Sequence, residues 1–151
     1  MKNFAIILFF VLFKAFTYGQ ANEKKYPFPK CNQIVVTTSL SDEELYQKIG
    51  KTLIEKGFFI DNVNKDFQTI TTTSYITPKA SFSYFLNIRI ENQQVFISGL
   101  YAYNRSIGNA HFRIDYSLGS SKDYRSIFTK MIDFATALEG NTTVYRQVVL
   151  D

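Results

Sequence analysis

Charged and polar side chains alternate with apolar ones in two stretches that could carry a binding site. In one stretch, His111, Arg113 and Asp115 alternate with Phe112, Ile114 and Tyr116. In the other, Ser83, Phe85, Asn87 and Arg89 alternate with Phe82, Tyr84, Leu86, Ile88 and Ile90. A period of two predicts strands with one buried face and one solvated face. If these strands are neighbours, Arg89 and Arg113 form a polar patch with a carboxylate between them. The simpler interpretation, which the sequence favours, is a solvated face whose cross-strand ion pairs contribute about 0.2–1 kcal/mol each.

Tyrosines of one strand form a second candidate site. Tyr101 and Tyr103 share a parity, and Tyr75 and Phe85 are expected on the same side. Tyrosine combines a large flat surface with a polar tip, which suits protein interfaces. It is also a common strand residue, and helices could cover this side instead. The pattern favours packing and leaves binding open.

The catalytic groups needed for most enzyme classes are missing. His111 is the only histidine and Cys31 the only cysteine, which excludes a two-histidine zinc site and a thiolate cluster. A serine nucleophile would need His111 as its base, and no Gly-x-Ser-x-Gly motif is present. A pair of carboxylates acting on glycosides stays open, although Asp115 is the only acid that the sequence places inside a strand of the core sheet after Glu91. We therefore expect no enzyme activity, no cofactor and no metal.

Two helices and six strands are predicted around these residues. Ile34 to Thr38 is β-branched and predicts a first strand over residues 33–39. Ser41 and Glu44 are spaced as a capping box for a helix that ends at Gly57. The further strands are predicted at Phe58–Val63, Gln68–Ile76, Ser81–Ile90, Val95–Tyr103 and His111–Ser117, before a helix at Lys122–Glu139. The tail from Asn141 to Asp151 could be an edge strand or pack loosely.

This order, β-α-β-β-β-β-β-α, predicts an α+β fold. The expected architecture is a twisted antiparallel sheet with both helices packed on one face and the opposite face partly open.

The N-terminus predicts an export signal. A wholly apolar run from Phe4 to Phe13 follows a charged start, and small residues precede a cut before Gln20. A retained anchor is the alternative, but spanning a bilayer takes about 20 apolar residues. We expect residues 1–19 to be a signal peptide, residues 20–32 a flexible leader and residues 33–151 one domain, in the periplasm or outside the cell. Cys31 is expected to be a free thiol near a loose N-terminus, with pairing between chains as the alternative.

Charge disfavours nucleic acid as a partner. The formal net charge is +4, and removing Lys2 and Lys14 with the signal lowers it by two. No polybasic cluster remains to neutralise a phosphate backbone. The rest of the chain contains no stretch apolar enough to span a membrane.

The sequence resembles a known family in two respects. One is a first strand and capped helix with Leu45, Tyr46, Ile49 and Leu53, then Gly57 and a meander through Ile88 and Ile97. The other is a signal ending in Tyr18-Gly19-Gln20, similar to signals of Bacteroidota envelope proteins. Together they resemble the uncharacterised secreted domains of that group that are assigned a TATA-binding-protein-like fold. The resemblance covers roughly Ile34 to Tyr103 and implies only the fold, since no catalytic residue is established for the family.

These observations predict a non-catalytic envelope or secreted module. It is expected to bind a protein partner through an open sheet face or edge, with Tyr101, Tyr103, Arg89 and Arg113 as candidate contacts. The alternative is a carrier that holds a small apolar ligand between the sheet and the last helix. A hydrolase that depends on His111 or Asp115 is the third possibility.

Overall fold

The computed structural model describes residues 22–76, 82–103, 111–116 and 122–149. Within these residues the chain forms two helices and nine strands. The strands are β1 (Asn22–Lys24), β2 (Gln33–Thr37), β3 (Ile60–Asn64), β4 (Thr69–Thr72), β5 (Tyr75–Ile76), β6 (Phe82–Glu91), β7 (Gln94–Tyr103), β8 (Phe112–Arg113) and β9 (Thr142–Gln147); the helices are α1 (Asp42–Glu55) and α2 (Lys122–Ala137).

Helix α1 begins at the capping box that the sequence predicts. The backbone N–H of Ser41 donates to the Glu44 carboxylate (2.8 Å), and the Ser41 hydroxyl accepts from the Glu44 N–H (3.4 Å). These bonds satisfy two donors that a helix start leaves without intrahelical partners. The apolar stripe of the helix, formed by Leu45, Ile49 and Leu53, is buried against the sheet.

Strands β6 and β7 form the long hairpin at the centre of the sheet. Ten residues of each strand pair in unbroken antiparallel register, from Phe82 opposite Tyr103 to Glu91 opposite Gln94. The two loop residues, Asn92 and Gln93, have φ values of 51° and 61°. Positive φ at both central positions is the geometry of a type I′ turn, whose twist matches that of the flanking strands.

The sheet has the order β1-β9-β2-β7-β6-β4-β3, with β5 paired to β6 and β8 paired to β7. Every pairing in this order is antiparallel. Both helices contribute to one hydrophobic core with one face of the sheet, which confirms the predicted α+β fold. No helix within the described ranges has the length and apolarity needed to cross a membrane.

The predicted flexible leader is wrong for residues 22–32. Asn22, Glu23 and Lys24 pair with β9 as an edge strand, and Phe28 and Cys31 are buried in the core. The Cys31 carbonyl accepts from the N–H of Tyr116 (2.9 Å), which ties this segment to the end of β8. A polar strand with no apolar alternation has no sequence signature, because it is held by its partner and not by its own burial. The predicted signal peptide lies outside the described residues.

The C-terminal tail forms a strand inside the sheet. β9 inserts between β1 and β2, and the N–H of Asn141 donates to the carbonyl of Thr37 (2.7 Å) at its start. The tail is therefore neither a loose segment nor the outermost strand.

Two predicted strands are shorter in the structure. The strand predicted at Gln68–Ile76 is interrupted at Thr73 and Ser74, which divides it into β4 and β5. Next to the interruption, the N–H of Leu86 donates to the side-chain hydroxyl of Thr72 (2.9 Å). The strand predicted at His111–Ser117 is reduced to β8.

Candidate functional site on the open sheet face

A depression of about 400 Å³ lies on the sheet face opposite the helices. Its charged groups are Arg89 and Arg113. Its polar groups are Gln33, Thr69, Asn87 and Ser98, and its apolar groups are Phe96, Leu100 and Val148. The described residues that line it include no carboxylate. The site therefore combines positive charge and neutral hydrogen-bonding groups with an apolar floor.

Strand register brings these side chains together. Along the hairpin, Arg89 lies opposite Phe96 and Asn87 opposite Ser98, while β8 places Arg113 opposite Leu100. Residues two apart on a strand share a face, so Phe96, Ser98 and Leu100 form one row that the two arginines flank. Arg89 and Arg113 therefore lie on the same face of the sheet, on strands at either side of β7.

Arg89 is held in place by two contacts. Its guanidinium carbon lies 4.5 Å from the centre of the Phe96 ring, a cation–π distance. Its Nη1 lies 3.2 Å from the Glu91 carboxylate, and both side chains are about half exposed. The carboxylate near Arg89 therefore sits at the hairpin end of the strand and not between the two arginines.

A third arginine completes the surroundings of Phe96. The Arg146 guanidinium lies 5.8 Å from the ring centre and pairs with the Glu23 carboxylate. Arg146 is thus neutralised by the N-terminal strand. The ring of Phe96, on the uncovered face, is shielded from water by side chains of the same face.

Arg113 differs from both of these arginines. It is partly buried, and its Nη1 is enclosed without a hydrogen-bond partner among the described residues. Burial lowers the pKa of its guanidinium, because a low-dielectric environment penalises the charged form. A buried donor left without a partner costs about 1–3 kcal/mol.

The tyrosine site is not supported. Tyr101 is 6% exposed and belongs to the core on the helix-covered face. Its ring packs against Phe82 (5.7 Å between centroids) and Phe112 (5.4 Å). Phe85, opposite Leu100, lies on the other face. The prediction that Tyr101 is a surface contact is therefore wrong. The alternation along a strand shows which of its residues share a face, but it does not show which face the helices cover. The side chain of Tyr103 lies outside the described residues.

Several residues that line the depression were not among the candidate site residues predicted from the sequence. Phe96, Ser98 and Leu100 could have been found, since they have the parity opposite to Tyr101. Val148 gives no such signal: it is placed by Asn32, whose side-chain amide donates to the Val148 carbonyl and accepts from its N–H (both 2.9 Å). Gln33 also gives none, and its amide donates to the Ser98 hydroxyl (3.4 Å).

A second, smaller depression of about 230 Å³ contains His111, one of the two residues on which a hydrolase was expected to depend. His111, Ser74 and Asp61 line it, and all three are exposed. The His111 ring packs edge-on against Phe85, 5.2 Å between centroids. A serine nucleophile needs a base within hydrogen-bond reach, and no hydrogen bond joins these three side chains in the described structure.

Metal and thiol chemistry also lack a site in this part of the chain. No group of three histidine, cysteine, aspartate or glutamate side chains among the described residues is arranged to hold a metal ion. Cys31 is a free thiol and fully buried, and burial, followed by the nearby Asp115 charge, raises its pKa. A sulfur enclosed in the core cannot meet another chain without unfolding, so the folded structure does not support pairing between chains.

Comparisons with known proteins give no match: no family model matches the chain, and no curated protein is similar to it.

Proposed function

We propose that this protein is a non-catalytic binding module that contacts a protein partner through the open face of its sheet. The observation that carries the proposal is the depression around Arg89 and Arg113, where polar and apolar groups lie side by side on the face opposite the two described helices. Protein interfaces combine buried aromatic and arginine anchors with a polar rim. Arg89 and Arg113 provide the arginines, Leu100 is a partly exposed apolar group beside them, and Asn87 is a polar one.

Export to the periplasm or the cell exterior is part of this proposal. It is supported by the apolar run Phe4–Phe13 and the small residues before Gln20. A cut at that point would fall directly before β1, which begins at Asn22 and belongs to the sheet. Membership of the secreted Bacteroidota domains with a TATA-binding-protein-like fold is likewise a proposal. It is supported by the order of β2, the capped helix α1 and the antiparallel strands that follow.

Close packing between the sheet and α2 argues against the alternative function, a carrier of a small apolar ligand. Phe128, Met131 and Phe134 of α2 are all fully buried. A Cβ atom built on Gly99, beneath the helix, would lie 2.9 Å from the Met131 sulfur and 3.0 Å from Ile114 Cδ1. An apolar ligand at this position would have to separate the helix from the sheet.

The test is co-purification from the envelope fraction with matched variants. The chain, carrying a C-terminal tag, would be purified gently as wild type, as Arg89→Gln/Arg113→Gln, and as Lys51→Gln/Arg125→Gln. The last pair removes the same charge from exposed helix positions. We expect one polypeptide to accompany the wild type and the helix variant and to be absent from the sheet variant.

Either of two results would contradict the binding proposal: no accompanying polypeptide, or one retained equally by all three proteins. Native mass spectrometry of the same samples tests the rest. A mass starting at Gln20 supports export, and a mass starting at Met1 counts against it. A small ligand that dissociates on collision would favour the carrier.

A further inference from the structure

The two arginines of the depression are prepared for an anion in different ways. Arg89 is restrained by the Phe96 ring and by Glu91, so little side-chain freedom is left to lose on binding. Arg113 pairs with no described carboxylate, and its enclosed Nη1 has no acceptor. Arg113 lines the depression, and the described residues that line it with Arg113 include no acid. The charge of Arg113 is therefore not balanced by a described carboxylate.

The spacing of the arginines favours an elongated ligand. Their cross-strand partners, Phe96 and Leu100, are four residues apart on β7, which corresponds to about 13 Å at ~3.3 Å per residue. Asn87 and Ser98 lie directly opposite each other between them. The backbone positions that carry the two arginines are thus separated along the sheet, with neutral hydrogen-bonding groups between them.

We propose that this depression binds an acidic segment of a protein partner, with carboxylates at Arg89 and at Arg113. Guanidinium groups bind carboxylates through paired, charge-assisted hydrogen bonds. Between the two ion pairs, the segment's backbone contacts Asn87, and its apolar atoms lie against Leu100, which is partly exposed. This inference rests on the proposed function and names the chemistry of the partner.

A lipid surface fits the same charges less well. The cations lie within a concavity, whereas a bilayer presents a flat array of headgroups. Polybasic membrane contacts depend on clusters of lysine and arginine at the surface, and the depression offers two arginines in a recess.

Binding of a defined peptide to the full chain tests the inference. The probe is a short fluorescein-labelled peptide rich in glutamate, measured by fluorescence anisotropy. A second peptide carries glutamine at every glutamate position. We expect the acidic peptide to bind the wild type, the glutamine peptide not to bind, and higher ionic strength to weaken the complex. Arg89→Gln and Arg113→Gln should each weaken binding by about 10- to 100-fold, because hydrogen bonds to charged groups are among the strongest in proteins.

Arg125→Gln, on the exposed side of α2, is the matched control and should leave the affinity unchanged. Equal weakening by Arg125→Gln would overturn the inference, because attraction would then follow net charge alone. Tighter binding of phosphatidylglycerol vesicles, or of glutarate as a small dicarboxylate, than of the peptide would also overturn it. If a partner co-purifies in a manner that needs both arginines while the acidic peptide fails to bind, only this inference is lost; if no partner co-purifies either, the proposed function falls with it.

Discussion

The two faces of the central hairpin place neighbouring residues of one strand in opposite environments. On the helix-covered face, Leu86 and Ile88 are fully buried. On the open face, Asn87 is partly exposed and Arg89 about half exposed. Covered positions contribute through close packing, which penalises any change of volume. Exposed positions of the open face contribute little to stability and keep polar groups available. We infer that the protein separates stability from binding across the thickness of one sheet.

The largest expected effect on stability comes from replacing, one at a time, two adjacent residues of β6 by alanine. Leu86→Ala should lower the free energy of unfolding by about 2–5 kcal/mol, since it removes buried methyl groups and leaves a cavity. Asn87→Ala, one residue away on the open face, should change it by no more than about 0.5 kcal/mol. Urea unfolding of both variants measures the difference. Similar losses for the two would contradict the division between faces.

A glycine pair tests how closely the covered face is packed. Gly99→Ala should destabilise by about 1–3 kcal/mol, because the new Cβ would meet Met131 and Ile114 at about 3 Å. Gly50→Ala in α1 meets only Ile60 Cδ1, at 3.7 Å, and should stabilise by about 0.5–1 kcal/mol. Thermal unfolding of the two variants compares the same substitution in crowded and open surroundings. A stable Gly99→Ala protein would indicate room for a ligand under α2.

Alkaline pH probes burial on the covered face. The pKa of Cys31 is raised chiefly by burial, so the folded state keeps its proton after the unfolded chain begins to ionise near the ordinary value of 9.0. Stability from this group is therefore complete below pH 9.0 and is lost as pH rises toward the folded-state pKa. Tyr84 and Tyr145, whose pKa values burial also raises, add to the loss near pH 10.0. Unfolding curves across this range should show the decline.

Cys31→Ala is the control for that pH dependence. The variant lacks the thiol, so the stability difference from the wild type should narrow as pH rises past 9.0. A constant difference would mean that the thiol is not protected by burial.

The smallest effects distinguish the two arginines of the open face. Arg89→Met loses the Phe96 and Glu91 contacts and should lower stability by about 0.5–1 kcal/mol. Arg113→Met removes a partly buried cation with an unpartnered nitrogen and should raise stability by about 0.5–1 kcal/mol. If thermal unfolding shows a lower stability for Arg89→Met and a higher stability for Arg113→Met, then the wild-type protein retains Arg113 at a cost to its stability. A loss in both would instead make Arg113 part of the scaffold.

Local patterns in the sequence determined a large part of this fold. Three of these patterns involve only residues close together in the chain. They are the capping box at Ser41, the apolar stripe of Leu45, Ile49 and Leu53, and the alternation along β6. They gave the helix, the hairpin and the α+β class. They also placed Arg89 and Arg113 on one face, because parity is a local property once the strands are assigned.

Only the tertiary structure decided which segments meet. Asn22–Lys24 becomes a strand because β9 lies beside it, and β9 lies there because it inserts next to β2, pairings between residues more than a hundred positions apart. The same long-range contacts bury Cys31 and bring Val148 into the depression. Burial of Tyr101 followed from the side on which the helices packed, a choice that a period of two leaves open. Sequence periodicity reports how a strand alternates, whereas the neighbours of that strand and the cover on each face arise from contacts between distant parts of the chain.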